Sequence, residues 1–170
     1  SSFKGQIIDP GEPEAREYVH KVCMEIINNY DVDGIVMDDY FYAYGGTYSE
    51  DAASKALYKP SNVKDVDKDG STDDDWRRAN VDSVICNLYK AIQEVKPWVR
   101  FGMGIPGSWS MKSNAAAAYG ISLPAGISAM ESYDYLYCNA LEWVKQGWVD
   151  YLNPQIYWST QVTRQNYRVL

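Results

Sequence analysis

Three short apolar runs, set apart by stretches of helical periodicity, constrain this chain more than any other feature. The first is Ile35-Val36-Met37, preceded by Asp33-Gly34 and followed at once by Asp38-Asp39. The second lies within 98–105 and the third within 148–158. Runs of this length, apolar at successive positions, suit strands of a parallel sheet covered on both faces. Before the first strand, Ala15, Tyr18, Val19, Val22, Cys23, Ile26 and Ile27 recur at three- and four-residue steps. They mark the buried face of a helix that Pro13 opens and that ends near Asn28-Asn29-Tyr30. Val81, Val84, Ile85, Leu88, Ile92 and Val95 mark a second helix, expected to start near Trp76 with Asp73, Asp74 and Asp75 as N-cap candidates and to stop at Lys96-Pro97. A third is expected over 134–146, closed by Gly147. Shorter helices are expected over 51–58 and 113–118, irregular chain over 121–132, and the opening of a further helix over 163–170. Helices alternating with strands predict an α/β fold with a parallel sheet.

Composition removes several classes of function. Sixteen basic against 23 acidic residues leave a net charge of −7, with no basic stripe to displace counterions from nucleic acid. No apolar run approaches the roughly 20 residues of a membrane span, and the start, Ser1-Ser2-Phe3-Lys4, lacks the apolar stretch of a signal peptide. A single histidine, His20, excludes multi-histidine zinc sites and reads as a partly exposed helix residue. Cys23, Cys86 and Cys138 show no CxxC spacing and read as buried free thiols. What the chain has in excess is aromatic surface: 15 Tyr, 6 Trp and 3 Phe. Such rings either pack in a core or stack on flat partners such as sugars and bases.

In parallel α/β folds, functional groups gather beyond the C-terminal ends of the strands. Here those ends carry Asp38-Asp39-Tyr40-Phe41-Tyr42, then Gly104-Ile105-Pro106-Gly107-Ser108-Trp109, then Gln155-Ile156-Tyr157-Trp158. Carboxylates within a rim of aromatic and amide groups suit cleavage of a glycosidic bond. One carboxyl protonates the leaving oxygen while another stabilises or traps the oxocarbenium-like centre. Strand alternation lets only one of Asp38 and Asp39 look into a shared interior. Asp38, on the face of Gly34 and Val36, is read as that residue, and a bulge at the strand exit would exchange the two. The plainer alternative is that both acids cap the strand exit.

Longer motifs point to a family. Asp9-Pro10-Gly11 followed by Pro13-Glu14-Ala15-Arg16-Glu17-Tyr18-Val19 resembles a segment reading LDPG-PE-REY. The run from Asn29-Tyr30-Asp31-Val32-Asp33-Gly34-Ile35 to Asp38-Asp39-Tyr40-Phe41-Tyr42 resembles NYDVDGIHFDDYFY. Asp75-Trp76-Arg77-Arg78-Ala79-Asn80-Val81 resembles DWRR-NV, and residues 143–158 resemble WVK-GWIDY-PQIYW. Together they resemble glycosyl-hydrolase-like family ten, bacterial envelope proteins related to the divisome hydrolase of denuded peptidoglycan glycans.

The resemblance implies a parallel (β/α)8 barrel of the TIM type acting on a glycan substrate in the cell envelope, periplasmic or extracellular, with no cofactor required. Carried over by motif, Asp38 and Asp39 are the candidate catalytic carboxylates. Asp9, Tyr40, Tyr42, Gln155, Tyr157 and Trp158, with Trp109 at the second strand end, are the candidate substrate contacts. The chain departs from the family where its histidine and phenylalanine are Val36 and Met37, and where FGISPFGIW becomes the stretch 101–109. Loss of that histidine leaves a non-catalytic glycan-binding module or scaffold as the alternative reading. Such barrels need about 250 residues, so 1–170 is expected to supply a partial barrel, the material of strands four to six, interrupted by a long insertion at about 43–75. A partial barrel has open sheet edges, which invite self-association.

The insertion contains one further motif. Asp65, Asp67, Asp69, Gly70, Ser71 and Asp73 fit the first nine positions of a calcium loop, D-x-D-x-D-G-x-x-D, and make a structural Ca2+ the one cofactor expected. The twelfth position, where a bidentate glutamate belongs, is Trp76, with Asp74 or Asp75 as substitutes. Arg77 and Arg78 read as helix-surface residues, and Glu131 as a solvated loop acid.

Overall fold

The computed structural model describes residues 7–38, 41–43 and 50–170. In chain order its elements are α1 (Pro13–Asn29), β1 (Gly34–Asp38), α2 (Ala52–Tyr58), α3 (Thr72–Val95), β2 (Arg100–Pro106), α4 (Ser113–Ala118), α5 (Ser132–Tyr135), α6 (Ala140–Gln146) and β3 (Tyr151–Gln155), followed by one 3-10 turn, Thr163–Gln165. The strands form one parallel sheet in the order β1-β2-β3. Asp38 pairs with Gly104, and Gly104 in turn with Asn153. Neighbouring strands are consecutive in sequence and joined through helices, a (β/α) progression without the reversal of strand order that marks a doubly wound sheet. Three strands do not close a barrel.

Pleating sends Ile35 and Met37, Phe101, Met103 and Ile105, and Leu152 to one face, where they join Ile27 of α1, Ile85, Leu88 and Ile92 of α3, and Trp143 of α6 in a common core. Each large side chain wholly removed from water there stabilises by about 1.5–3 kcal/mol. The opposite face carries Gly34, Val36 and Asp38, then Gly102 and Gly104, then Tyr151, Asn153 and Gln155. It stays open: Val36 is 54% and Tyr151 41% exposed. The expectation of strands covered on both faces is thereby corrected. The apolar runs reflect one helix-covered face, and on the other face Val36 is left facing outward.

Helix α1 runs over the expected range, with Pro13 in its first turn. Its buried face is narrower than the apolar stripe, because Cys23, Met24 and Ile27 are buried whereas Tyr18, Val22 and Ile26 are exposed. Helix α3 begins a turn earlier than expected. Ser71 is its N-cap, and Asp73, Asp74 and Asp75 occupy the first turn, where their charge meets the positive end of the helix dipole. Val95, expected on the buried face of α3, is exposed. Trp98 lies in the turn before β2 and is also exposed.

The single helix expected over 134–146 is two, α5 and α6. Between them Tyr137 takes φ of 55°, and the Cys138 amide donates to the Ser132 carbonyl at 3.0 Å. Leaving the helix lets Leu136, Tyr137 and Cys138 all be buried, which three successive positions of one helix, about 100° apart, do not achieve against one face. Gly147 closes α6 in the left-handed conformation, as expected. The helix expected over 163–170 is reduced to its 3-10 turn. There Asn166 donates to the Thr160 carbonyl and accepts from the Arg168 amide, local side-chain bonds that compete with helix. All three cysteines are buried thiols outside any disulfide.

Helices α3 and α6 are joined by a polar clamp. The Trp143 indole donates to Asp82 at 2.6 Å, and the Asn139 amide donates to the same carboxylate at 3.2 Å. Tyr119 in turn donates to Asn139 at 2.7 Å. Burial pushes the Asp82 carboxyl up to about 7, against the opposing pull of these two donors. The folded chain therefore binds this proton more tightly than the unfolded one. The stability associated with it is greatest below about pH 4 and declines as pH rises towards 7. Replacing Asp82 by Asn removes the titrating group and keeps an oxygen for Trp143. The fall in Tm between pH 4 and 7 is expected to be smaller in Asp82→Asn than in the parent, by about 6–12 °C, in parallel thermal melts followed by circular dichroism.

Candidate functional site

Asp38 is the last residue of β1, on the open face of the sheet and exposed. Its neighbour on β2 is Gly104, where an added Cβ would stand 2.7 Å from Asp38 Oδ1 and 3.4 Å from Gln155 Nε2. Because that position is bare, the side chains of the two outer strands meet above the central one. The Gln155 amide donates to Asp38 Oδ1 at 3.4 Å. The Tyr157 hydroxyl donates to Gln155 Oε1 at 3.2 Å. Tyr157 is 78% exposed and stands edge-on to Trp158, with ring centroids 6.1 Å apart. One pleat back, Gly102 lies beneath the ring of Tyr151, so close that a Cβ would stand 2.2 Å from it. Asp38 also borders a cavity of about 280 Å3 whose lining includes Ile7, Ile8, Arg16, Met37 and Phe41. A carboxylate that accepts from an amide beside exposed rings can take up a proton or stabilise developing positive charge on a flat, polar-edged ligand.

The other expected contacts are spread more widely. Asp39 and Tyr40 lie outside the described residues. Asp9 accepts from the Gly11 amide at 2.7 Å and from the Ser54 hydroxyl at 2.6 Å, which ties the loop before α1 to α2. Tyr42 is 3% exposed, edge-on to Tyr137 at 4.8 Å, and so sits in the core rather than on the rim. Trp109 packs against Tyr119 and Tyr133 at 5.3 and 5.0 Å. Gln155 and Tyr157 therefore gather with Asp38, and Trp158 packs on Tyr157. Asp9 ties loop to helix and Tyr42 lies in the core, while Trp109, half-buried, lines a separate cavity of about 170 Å3. His20 is half-buried on α1.

In the acidic loop, Asp65, Asp67 and Asp69 each bring a carboxylate oxygen to within 4.8 Å of the other two. Asp73, the expected fifth contributor, turns away to Lys55 and Lys59, whose hydrogen bonds pull its carboxyl down to about 2. Asp75 accepts from the Val66 amide at 2.9 Å and from Arg78 at 2.8 Å. Burial pushes Asp67 up, while Arg78, 3.6 Å away, pulls it down. Lys112 stands between Asp69, at 3.8 Å, and Asp134, at 3.3 Å.

Arg77 and Arg78 are not surface residues. Arg77 makes a two-pronged pair with Asp51, at 2.5 and 3.0 Å, both side chains being 5% exposed. Burial disfavours its charge, yet Asp51 and its neighbours outweigh that and hold the guanidinium above its ordinary value. Arg78 bonds Asp75 and Asp134 and lies 4.1 Å over the ring of Tyr133. Glu131, expected in solvent, is buried and accepts from the Met111 amide. Burial, followed by the charge of Glu131, pushes Asp134 up to about 6 against the pull of Lys112. Part of this network had a local signature, since Asp74 and Asp75 precede Arg77 and Arg78 by three residues. Its distant partners, Asp51 and Asp134, had none.

An α/β chain with a carboxylate, an amide and an exposed tyrosine at its strand ends has relatives with the same sequence pattern. Residues 3–170 match the family Glycosyl hydrolase-like 10, and the chain belongs to that family. It is 36% identical to "Glycosyl hydrolase YngK" of Bacillus subtilis (strain 168) over 163 residues, covering 95% of this chain and 30% of that protein. It is 31% identical to "Glycosyl hydrolase DigH" of Escherichia coli (strain K12) over 165 residues, covering 96% of this chain and 34% of that one. The chain thus spans about a third of the length of these relatives.

The Asp51–Arg77 pair anchors the start of α2 to α3. Removing one member of a buried pair strands the other charge. Asp51→Ala is expected to lower unfolding stability by about 3–5 kcal/mol in urea titrations, and the double replacement Asp51→Leu/Arg77→Met by clearly less.

Proposed function

We propose that this chain forms one side of the substrate cleft of a glycoside hydrolase, with Asp38 as one of its two working carboxylates. The observation that carries this reading is the meeting of Asp38 and Gln155 over the bare Gly104, beside Tyr157 and Trp158, at the C-terminal ends of parallel strands. The relatives' names, both glycosyl hydrolases, support it. The wider architecture in this proposal is a (β/α)8 barrel whose other strands pair with the open edges of β1 and β3. The substrate is a bacterial envelope polysaccharide, with peptidoglycan glycan strands as the leading example, met outside the cytoplasm. One carboxyl donates a proton to the glycosidic oxygen and the other stabilises the oxocarbenium-like centre, trapping it covalently or guiding water to it. The partner of Asp38 is Asp39 or an acid on another strand, and the chemistry needs no cofactor.

A second reading rests on Val36, which is exposed on the open face where the motif has a histidine. A cleft without that imidazole suits a module that holds glycan without cutting it. Incubating the longer polypeptide that carries this chain with glycan oligosaccharides, followed by mass spectrometry, separates the two. Shortened products are expected from the parent and none from Asp38→Asn, with glycan affinity retained in both. Undiminished cleavage by Asp38→Asn would overturn the assignment, and affinity without products in the parent would favour the binding module.

The acidic loop enters this proposal as a calcium site that orders the insertion through Asp65, Asp67 and Asp69, with Ser71 contributing its carbonyl. Calorimetry is expected to register calcium binding at millimolar ion or below, together with a rise in Tm. The absence of heat at millimolar calcium leaves the loop neutralised by Arg78 and Lys112 alone.

A further inference from the structure

The proposed function, on which this inference rests, names Asp38 but not what holds it. An exposed carboxylate at a strand end has freedom about two side-chain torsions, and acid/base chemistry needs a fixed direction. Gln155 supplies one. Its side chain reaches from β3 past the central strand, and the contact with Asp38 joins residues 117 positions apart in sequence. An amide presents an acceptor at one end and donors at the other, so its orientation follows from its partners. Tyr157 donates to Oε1, which leaves Nε2 to face Asp38. Gly104 makes room for the contact, since its Cβ would fall between the two side chains.

We propose that Gln155, oriented by Tyr157, is the positioning residue for Asp38: it commits one carboxylate oxygen to an amide donor and leaves the other for the substrate. In this assignment Asp38 is the group that stabilises or attacks the anomeric centre, or activates water, and the proton donor is a different acid. This goes further than naming a carboxylate pair, because it divides their labour.

The test uses the longer polypeptide that carries this chain, with steady-state kinetics on glycan oligosaccharides. Gln155→Leu is expected to lower kcat about tenfold or more while KM stays within about twofold, the size expected for losing a hydrogen bond to a charged group. Gln155→Glu is expected to be as poor at neutral pH and to regain activity relative to the parent as pH falls below about 5, where its protonated carboxyl can donate as the amide did. Tyr157→Phe, which frees the amide to turn over, is expected to lower kcat by a smaller factor. A rise in KM alone for Gln155→Leu would make Gln155 a substrate contact and overturn the positioning role. An unchanged kcat for Gln155→Leu, or no recovery of Gln155→Glu at low pH, would overturn it as well. Full activity in Asp38→Asn would instead overturn the underlying assignment of Asp38. Circular dichroism of each variant checks that these replacements at the open face leave the fold intact.

Discussion

Strand β2 lies between two strands that do not pair with each other, and the candidate site depends on how little it carries on one face. Its register brings Asp38 level with Gly104 on one side and Asn153 level with Gly104 on the other. A side chain at that position would separate the acid from the amide. On the covered face the same strand presents Phe101, Met103 and Ile105 to the helices, all buried. One seven-residue segment thus holds the core together with alternate side chains and opens the working surface by omitting the rest.

The segment between β1 and α3 is held in a different way. It is fixed by charge, with Asp51 and Arg77 at one end, Asp73 between two lysines, and Asp67, Asp75 and Asp134 around Arg78. Buried pairs of this kind contribute little net stability compared with apolar packing, but breaking one leaves a stranded charge. They specify one arrangement of a segment too polar to fold by apolar burial. The hydrogen bonds from Ser54 and Gly11 to Asp9 continue the arrangement to the start of α1, so α2 and the loop before α1 are tied together.

Most helix limits were legible because their signals are local. Pro13 opens α1, Gly147 closes α6, and the acids ahead of Trp76 mark the beginning of α3. The break between α5 and α6 had no such signal: residues 136–139 contain neither glycine nor proline, and the helix ends because tertiary burial of Tyr137 wins over local preference. Alternation along β1 placed Asp38 on the face of Gly34 and Val36, and the sheet keeps it there. The part played by Gly104 was hidden, because a glycine in a strand reveals its purpose only once the register identifies its neighbours. Tyr42, expected among the substrate contacts, lies in the core for a related reason, and Trp109 packs against other rings while still lining a cavity. An aromatic near a strand end reads the same whether it faces a ligand or another ring, and only their packing on Tyr137, Tyr119 and Tyr133 distinguishes the two.

The central place of β2 also bears on how the chain acquires its structure. Every ladder contact of the sheet joins residues separated by a whole helical crossover, so the sheet has high contact order and no hairpin from which to nucleate. During synthesis from the N-terminus, β1 emerges well before β2, and α3 is the helix that α1 packs against most extensively. Assembly of that helix pair can precede the sheet. The contact between Asp38 and Gln155 forms last, when β3 arrives and its amide reaches across to an aspartate made long before it.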